Sequence, residues 1–201
     1  TIGVNTCAML GESEFTENFT AGMNNAIARL EEETGNKLGD PENPLLLAVR
    51  SGASVSMPGM METVLNVGVT PLTLPALQNI TGDHFFAQDS YRRFLEGFCK
   101  STLNIDHPMF NAQTIGRAGL PDHIKDLETV ISERIGSEQL CDARYLLNEC
   151  IHAVIRSSRS STAHVYRKKT GLPESLGTAV TVQAMVFGNT GARSGTGVVF
   201  S

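Results

Sequence analysis

The sequence predicts an α+β fold, and three observations support this prediction. The middle of the chain carries apolar residues three and four positions apart, which is the spacing of helices that bury one face. A continuous apolar run at residues 45–49 predicts a buried strand ahead of this helical region, and the alternating run "TAVTVQAMVFG" predicts another strand after it. Helices flanked by strand regions favour a mixed architecture.

The first helix is predicted over residues 14–34, and Gly35 is a suitable stop for it. Its buried face consists of four residues at helical spacing: Phe19, Met23, Ile27 and Leu30. The segment "NKLGDPENP" predicts a turn-rich connector to the strand at 45–49, and a loop rich in glycine and serine follows that strand. The next stretch, "VLNVGVTPLTLPAL", is predicted to be irregular before it enters a short helix.

Three further helices are predicted. Residues 83–100 place aromatic and aliphatic side chains on one side: Phe86, Phe94, Leu95 and Phe98. Residues 121–135 begin with a proline, which suits a first turn, and residues 138–156 form another amphipathic pattern. Residues 104–119 show little periodicity and predict a connector or an inserted segment.

The pattern changes near the end of the chain. The stretch "RSSRSSTAHVYRKKTGLP" is polar and basic, which predicts a mobile connection. In the alternating strand that follows, Thr181, Gln183 and Met185 lie on the face opposite the valines. The turn "NTGARSG" and the run "TGVVFS" then predict the rest of a β-hairpin.

The composition excludes several classes of function. The net charge is -5 and the isoelectric point is about 5.5, so we expect no broad basic surface and no nucleic-acid partner. No apolar run approaches the roughly 18 residues of a membrane span, so no membrane partner is expected. Hydrophobic residues make up 41% of the chain, which is enough for a packed core.

The cysteines predict the cellular location of the protein, and the chain ends predict that it is part of a longer protein. None of the four cysteines forms a CxxC pair or lies at metal-ligand spacing from a histidine, so we expect reduced, buried thiols and a cytoplasmic location. The first residues, "TIGVNTCAML", do not resemble a signal peptide. The chain has no initiating methionine and stops inside a predicted strand, so we expect it to be a piece of a longer protein.

Arg50 is the first candidate for chemistry because it ends the predicted apolar strand. A guanidinium group is always charged and its planar fork matches phosphate or carboxylate oxygens. The sequence supports two roles equally, a structural salt bridge, for example with Glu62, and an anion site. The loop "SGASVSMPGMM" offers Ser51 and Gly52 as polar and flexible positions over a phosphate chain, although it is not a P-loop.

The other candidates are weaker. Gln183 and Met185, on one face of the late strand, could hold a flat purine, although a sheet face packed on a helix explains them more simply. Arg92 and Arg93 lie on a predicted helix, where a solvated face is the simpler role. The five histidines show no metal-binding spacing, so we predict no metal ligands in this chain.

Several stretches together resemble the pyruvate phosphate dikinase family. They are "RLEEETGNKLGD", "LGDPENPLLLAVRSGASVSMPGMMETVLNVGV", "FFAQDSYRRFLEGF" and "HVYRKKTGLPESLGTAVTVQAMVFGNTGARSGTGVVFS", in the order of the family. The likeness is specific over residues 30–100 and 150–201, and only helical character is shared elsewhere.

The resemblance implies a fragment of an ATP-grasp-like nucleotide-binding domain with a helical segment in its middle. Residues 1–100 would form the strand-loop-helix part of the ATP-binding lobe, residues 101–160 a helical subdomain, and residues 161–201 the hairpin that starts the second lobe. Arg50 would be the catalytic arginine that reaches the phosphates of ATP. The nucleotide-binding residues implied are these: Ser51, Gly52, Gln183, Met185, Val186 and Thr196.

The resemblance also implies parts that this chain lacks. The family's "GGKG" lysine would lie upstream, and the Mg²⁺ ligands would lie downstream. We therefore expect this chain alone to bind ATP weakly and to be inactive. The family usually has a tryptophan and an "NPRA" run before "VYR", whereas this chain has "SSRSSTAHVYR" and no tryptophan. In the family this surface faces the swinging phosphohistidine domain of the same parent chain.

The function implied is the ATP-binding part of an enzyme that interconverts ATP, phosphate and pyruvate with AMP, pyrophosphate and phosphoenolpyruvate through a phosphohistidine. The parent is expected to be a homodimer in the cytoplasm or in an organelle such as a plastid. One alternative is a non-catalytic nucleotide-binding or regulatory module of the same fold. Another is a phosphoenolpyruvate synthase-like enzyme, although those proteins usually carry an "RSSAxxED" loop at the position of "RSGASVSMPGMM".

Overall fold

The computed structural model describes residues 1–10, 15–52, 62–105, 117–173, 177–188, 193–195 and 197. Within these ranges helices pack around a small antiparallel sheet, which confirms the predicted α+β class. In chain order the elements are α1 (Val4–Leu10), α2 (Glu17–Thr34), β1 (Leu47–Gly52), β2 (Thr63–Val67), α3 (Leu74–Thr81), α4 (His84–Ser101), a 3₁₀ turn (Arg117–Gly119), α5 (Leu120–Ile135), α6 (Ser137–Cys141), α7 (Ala143–Ser157), α8 (Ser161–Thr170) and β3 (Ala179–Ala184).

The sheet has the strand order β2-β1-β3, and both pairings are antiparallel. Arg50 in the central strand lies opposite Thr63 of β2 and opposite Thr181 of β3. On the outer side of β3, Ile2 forms a bridge with Val180 through two main-chain hydrogen bonds of 2.7 and 3.0 Å. The sheet thus joins three distant parts of the chain.

One face of the sheet forms part of the hydrophobic core. Leu47, Val49 and Val180 lie on this face and are fully buried, because α4 and α7 pack against the sheet. Phe94 of α4 and Leu147 of α7 belong to the same core cluster and are also fully buried. Burial of this face leaves the opposite face of the sheet for polar side chains.

The strongest helix predictions are confirmed, and local capping explains their boundaries. α2 begins at Glu17, three residues later than predicted, because the Thr16 side chain accepts a hydrogen bond from the Phe19 N–H at 3.3 Å. α2 ends where Gly35 adopts φ 72°, a left-handed conformation that suits glycine. α4 and α5 begin and end within about one residue of their predicted bounds.

The single helix predicted over residues 138–156 is wrong, because the structure divides it into α6 and α7. Asp142 lies between them with an extended backbone, φ -91° and ψ 97°. Its carboxylate accepts hydrogen bonds from the N–H groups of Arg144 at 2.8 Å and Tyr145 at 3.0 Å. An N-cap of this kind starts a new helix. The sequence did not predict the break at Asp142, because the apolar spacing continues on both sides of this residue.

Replacement of Asp142 by alanine tests this cap. We expect Asp142→Ala to lower the free energy of unfolding by about 1 kcal/mol, because two N–H groups of α7 lose their acceptor. The midpoint of urea denaturation measures the change. Asp126→Ala, an exposed carboxylate inside α5, is the matched control and should cause no comparable loss. Equal destabilisation by the two substitutions would contradict the capping role.

Three other predictions of local structure are corrected. The polar stretch after α7 is not a mobile connection throughout, because Ser160 caps α8 through a hydrogen bond from the Ala163 N–H at 3.2 Å. The stretch predicted as irregular contains β2 before the short helix α3, and Asn66 with φ 59° interrupts the alternation that would have revealed the strand. β1 extends to Gly52, so Arg50 lies within the strand rather than at its end.

Some expectations concern segments outside the described residues. They include most of the loop after β1, most of the connector predicted at 104–119, and nearly all of the turn and second strand of the predicted hairpin.

The sequence did not predict α1, whose buried Cys7 and Leu10 join the core cluster. None of the described helices is long and apolar enough to span a membrane.

Candidate functional site

Arg50 is exposed on the face of the sheet that does not join the core. Within the described part of the chain it forms no ion pair, and in particular none with Glu62, the partner considered from the sequence. Because its side chain is open to solvent, Arg50 needs no internal counter-ion. Its guanidinium group therefore keeps its hydrogen-bond donors for a ligand or for water.

Hydroxyl groups flank Arg50 on both sides. Residues opposite each other in an antiparallel pair project from the same face, so Thr63 and Thr181 share the face of Arg50. The Thr1 hydroxyl lies 3.3 Å from the Thr181 hydroxyl and extends this polar row. A row with one fixed positive charge and several hydroxyl groups can bind an anion such as a phosphate group.

Gln183 lies on the same face as Arg50, one pleat along the sheet. It pairs with Ala48, which precedes Arg50 by two residues on β1, so the rows of Gln183 and Arg50 are roughly 7 Å apart. Gln183 is exposed, and Leu65 of β2 exposes 41% of its surface on this face. An amide beside an apolar side chain can accommodate a flat, partly polar ring.

The residues after β3 have different environments. The sulfur of Met185 lies 3.2 Å from the main-chain nitrogen of Asn66, and the side chain packs against the core. Val186 exposes 85% of its surface. Phe187 returns to the protein, where its ring meets the Phe86 ring edge to face with centroids 5.4 Å apart. Val186 is therefore presented to solvent between two anchored neighbours.

The outer edge of β3 offers main-chain groups to a ligand. The N–H and C=O of Val180 point outward, where they bond to Ile2. Strand alternation directs the same groups of Val182 and Ala184 to this edge, and the N–H of Met185 inward to Leu46 at 2.9 Å. Main-chain donors and acceptors at a strand edge can recognise the hydrogen-bonding edge of a base.

Ser51 and Gly52 are the last residues of β1 and are half-buried. Ser51 pairs with Val180 on the core face, and Gly52 pairs with Ala179 on the face of Arg50. Thr196 lies outside the described residues. The structure thus brings Arg50, Gly52 and Gln183 to one face and places Ser51 on the other.

Arg92 and Arg93 bind partners on their own helix. Arg92 contacts Asp89 at 2.7 Å and Glu96 at 2.6 Å, and Arg93 contacts Asp89 at 2.7 Å. Burial raises the pKa of Asp89, but the hydrogen bonds from both guanidinium groups outweigh it and hold the pKa below its usual value. Glu96 also lies 3.0 Å from the ring of buried His123. This network ties α4 to α5 and leaves the two arginines with a structural role.

The buried thiols are unsuited to nucleophilic chemistry. All four cysteines are free, and three of them are buried, largely as the sequence predicted. Burial raises the pKa of Cys99 to about 12 and raises the pKa of Cys150 further. Both thiols therefore stay protonated near neutral pH. In the described ranges, no group of three or more His, Cys, Asp or Glu side chains could hold a metal ion.

A separate cavity of about 500 Å³ lies between α2, the first residues of the chain and β3. Phe19, Met23 and Ile27 contribute apolar walls, and Val182 is its only lining residue from β3. Neither Arg50 nor Gln183 lines it. The convergent polar groups lie instead on the open sheet face, defined by Arg50, Thr63, Thr181 and Gln183, which is therefore the candidate site.

Sequence reasoning found Arg50 and Gln183 but missed the two threonines that flank Arg50. Thr181 was visible only as one member of an alternating strand. The pairing of β1 with β3 joins residues about 130 positions apart, and such a long-range register has no local sequence signal. Polar residues that alternate on a strand beside a buried run were the available hint.

Comparison with known proteins agrees with the earlier resemblance. Residues 8–201 match the family described as "Pyruvate phosphate dikinase, AMP/ATP-binding domain". The pyruvate, phosphate dikinase of Rickettsia conorii is 40% identical over 202 residues, which cover 94% of this chain and 23% of that protein. The Giardia intestinalis enzyme of the same name is 38% identical over 98% of this chain and 24% of its own length. Pyruvate, phosphate dikinase 2 of Oryza sativa subsp. japonica is 40% identical over 88% of this chain and 21% of its own length.

Proposed function

Because the chain belongs to the pyruvate phosphate dikinase AMP/ATP-binding domain family, we propose that its open sheet face is part of the ATP site of a dikinase. The chain spans 23% of the length of the Rickettsia relative, so the complete reaction would need further domains. The observation that carries the proposal is the exposed Arg50 between two threonines, without an ion pair to any described residue and with Gln183 on the same face.

Arg50 is the proposed catalytic residue. In the reaction, a histidine of another domain attacks the β-phosphorus of ATP and AMP leaves, so that the histidine carries a pyrophosphoryl group. Inorganic phosphate then takes the γ-phosphoryl group as pyrophosphate, and the phosphohistidine passes its phosphoryl group to pyruvate. Arg50 would stabilise negative charge on the phosphate oxygens, which is the main catalytic need in phosphoryl transfer.

The adenine would lie at the end of β3. The exposed Gln183 and Val186, with the main chain at the strand edge, offer an amide, an apolar contact and hydrogen-bonding groups. Met185 would support this strand through its contact with Asn66. Gly52 and Thr196 complete the proposed nucleotide-binding set together with Ser51, whose side chain lies on the opposite face, so that Ser51 could contribute only its main chain. Residues 161–201 would then start the second lobe of an ATP-grasp-like domain.

Magnesium accompanies ATP and neutralises charge on its phosphates in reactions of this kind. The described residues do not fit a metal site of their own, since no cluster of three suitable ligands occurs among them. The proposed partners are the phosphohistidine domain of the parent chain and a second copy in a homodimer, in the cytoplasm or a plastid.

Substitution at Val186 tests the adenine assignment. We expect Val186→Asp to weaken the binding of both AMP and ATP by about tenfold or more in the full-length protein, because a charged carboxylate would replace an apolar contact with the base. Calorimetric titration measures both affinities. The fold should be unaffected, because Val186 is 85% exposed.

Val165→Asp is the matched control, since Val165 on α8 is also exposed, at 48%, and takes no part in the proposed site. It should leave both affinities unchanged. Unchanged nucleotide binding in Val186→Asp, or an equal loss in both variants, would refute the placement of adenine at the end of β3.

The alternative function is a nucleotide-binding or regulatory module without catalysis. This alternative assumes the same family and the same nucleotide site on the open sheet face. It therefore predicts the same nucleotide affinities as the catalytic function. The two functions differ in one measurement, the transfer of labelled phosphate from ATP to a histidine of the full-length protein, which only the enzyme would carry out.

A further inference from the structure

A second polar cavity, of about 250 Å³, lies between the end of α4, the end of α7 and the start of α8. Two cationic side chains line it, Lys100 from α4 and Arg156 from α7. The remaining walls are mostly hydroxyl or amide side chains, with one carboxylate: Ser101, Asn104, Ser157, Ser160, Thr162 and Glu62. This cavity shares no lining residue with the open sheet face.

Among the described residues, neither Lys100 nor Arg156 belongs to an ion pair, although Glu62 lines the same cavity. One nitrogen of Arg156 donates to the Thr102 carbonyl at 3.2 Å, which fixes the side chain and leaves its other N–H groups as donors. Two positive charges with no ion pair to any described residue thus converge on a small space, where an anion would be stabilised.

The start of α8 adds further donors. Ser160 uses its oxygen to accept from the Ala163 N–H, and its hydroxyl proton remains available to donate. The N–H groups of Ser161 and Thr162 belong to the first turn and have no carbonyl partner within the helix. The positive end of the helix dipole therefore faces the same cavity as the two cations.

The opposite wall is held in place by a hydrogen bond between distant segments. The main-chain N–H of Glu62 donates to the Ser157 hydroxyl at 3.2 Å, and that hydroxyl donates to the Val154 carbonyl at 2.8 Å. Glu62 immediately precedes β2, so the cavity is joined to the sheet. Three of its four hydroxyl side chains come from the serine-rich stretch at the end of α7 and the start of α8: Ser157, Ser160 and Thr162.

We propose that this cavity binds a small tetrahedral oxyanion of the phosphate class, held by Lys100, Arg156 and the hydroxyl and N–H groups at the start of α8. The volume suits a single phosphate group with a few water molecules rather than a nucleotide. The Glu62 carboxylate opposes the anion and keeps its affinity modest. The site is distinct from the proposed ATP site and does not depend on that assignment.

Calorimetric titration with inorganic phosphate at pH 7.5 and low salt tests the site in the full-length protein. We expect Lys100→Gln and Arg156→Gln each to weaken phosphate binding about tenfold or more, because each removes a charge-assisted hydrogen bond. Glu62→Gln should strengthen binding severalfold, because it removes a repulsive charge. If these residues had only a structural role, substitution of the cations and substitution of Glu62 would not be expected to change the phosphate affinity in opposite directions.

Three control variants make the result decisive. Arg159→Gln and Lys168→Gln remove exposed positive charges from the same region without touching the cavity, and should leave phosphate affinity unchanged. Arg50→Gln should also leave the cavity's affinity unchanged while it weakens ATP binding. The proposal is overturned if wild-type protein binds no phosphate, if Lys100→Gln has no effect, or if the control variants or Arg50→Gln abolish the binding. Since Lys100 is exposed and forms no ion pair in the described structure, Lys100→Gln keeps the test valid even if Arg156→Gln fails to fold.

Discussion

Replacing Arg50 with alanine in the full-length protein is expected to lower ATP-dependent phosphorylation of the acceptor histidine by roughly 1,000-fold. The guanidinium group is the one fixed charge in the row of Thr63, Arg50 and Thr181, and hydroxyl groups cannot replace its charge. The loss should appear in the rate of phosphoryl transfer more than in protein stability, because Arg50 is exposed. Transfer of label from ATP to the protein measures this rate.

The reverse half-reaction provides the control. Phosphorylation of the same histidine by phosphoenolpyruvate would occur at another domain, so Arg50→Ala should leave its rate unchanged. Arg50→Lys should recover only part of the ATP-dependent rate, because an ammonium group lacks the planar fork. Equal loss of both half-reactions in Arg50→Ala would contradict a specific role at the ATP phosphates.

The largest expected effect on stability is that of Gly68→Ala. Gly68 follows β2 with φ +110°, a conformation that residues with a side chain rarely adopt. An added Cβ would lie 2.5 Å from the main-chain oxygen of Leu45, and a backbone atom cannot rotate away. Strain and overlap together should lower the free energy of unfolding by about 3 kcal/mol or more, as measured by urea denaturation.

Gly97→Ala is the matched control and should act in the opposite direction. Gly97 lies inside α4, and an added Cβ would meet nothing within 4 Å. Alanine favours a helix interior by about 1 kcal/mol over glycine, so this variant should be slightly more stable than the wild type. If Gly68→Ala proved as harmless as Gly97→Ala, the close approach between Gly68 and Leu45 would be wrong.

The helices could largely be predicted from the sequence because their signals are local. The apolar spacing of α2 and α5, the proline in the first turn of α5 and the stop at Gly35 lie within a few residues of the elements they define. The two helix boundaries that the sequence did not predict also depend on single residues nearby. Asp142 acts as a cap inside a continuous apolar pattern, and the polar sequence of α8 gave little sign of a helix that its Ser160 cap helps to start.

The candidate site could be predicted only in part. Arg50 stood out because a charge follows an apolar run, and the family resemblance proposed its role. The sequence could not show that Arg50 is exposed or that Thr63 and Thr181 flank it, because strand order and register depend on pairing between distant segments. The second cavity could not be predicted for the same reason, because its walls come from α4, α7 and α8, which are distant in the sequence.

A crystal structure of the full-length protein with a non-hydrolysable ATP analogue tests the central claim most directly. The predicted result places phosphate oxygens within about 2.7–3.2 Å of the Arg50 guanidinium nitrogens and the base beside Gln183 and Val186 at the end of β3. A nucleotide bound elsewhere, with Arg50 still open to solvent, would contradict the assignment of the ATP site to this sheet face.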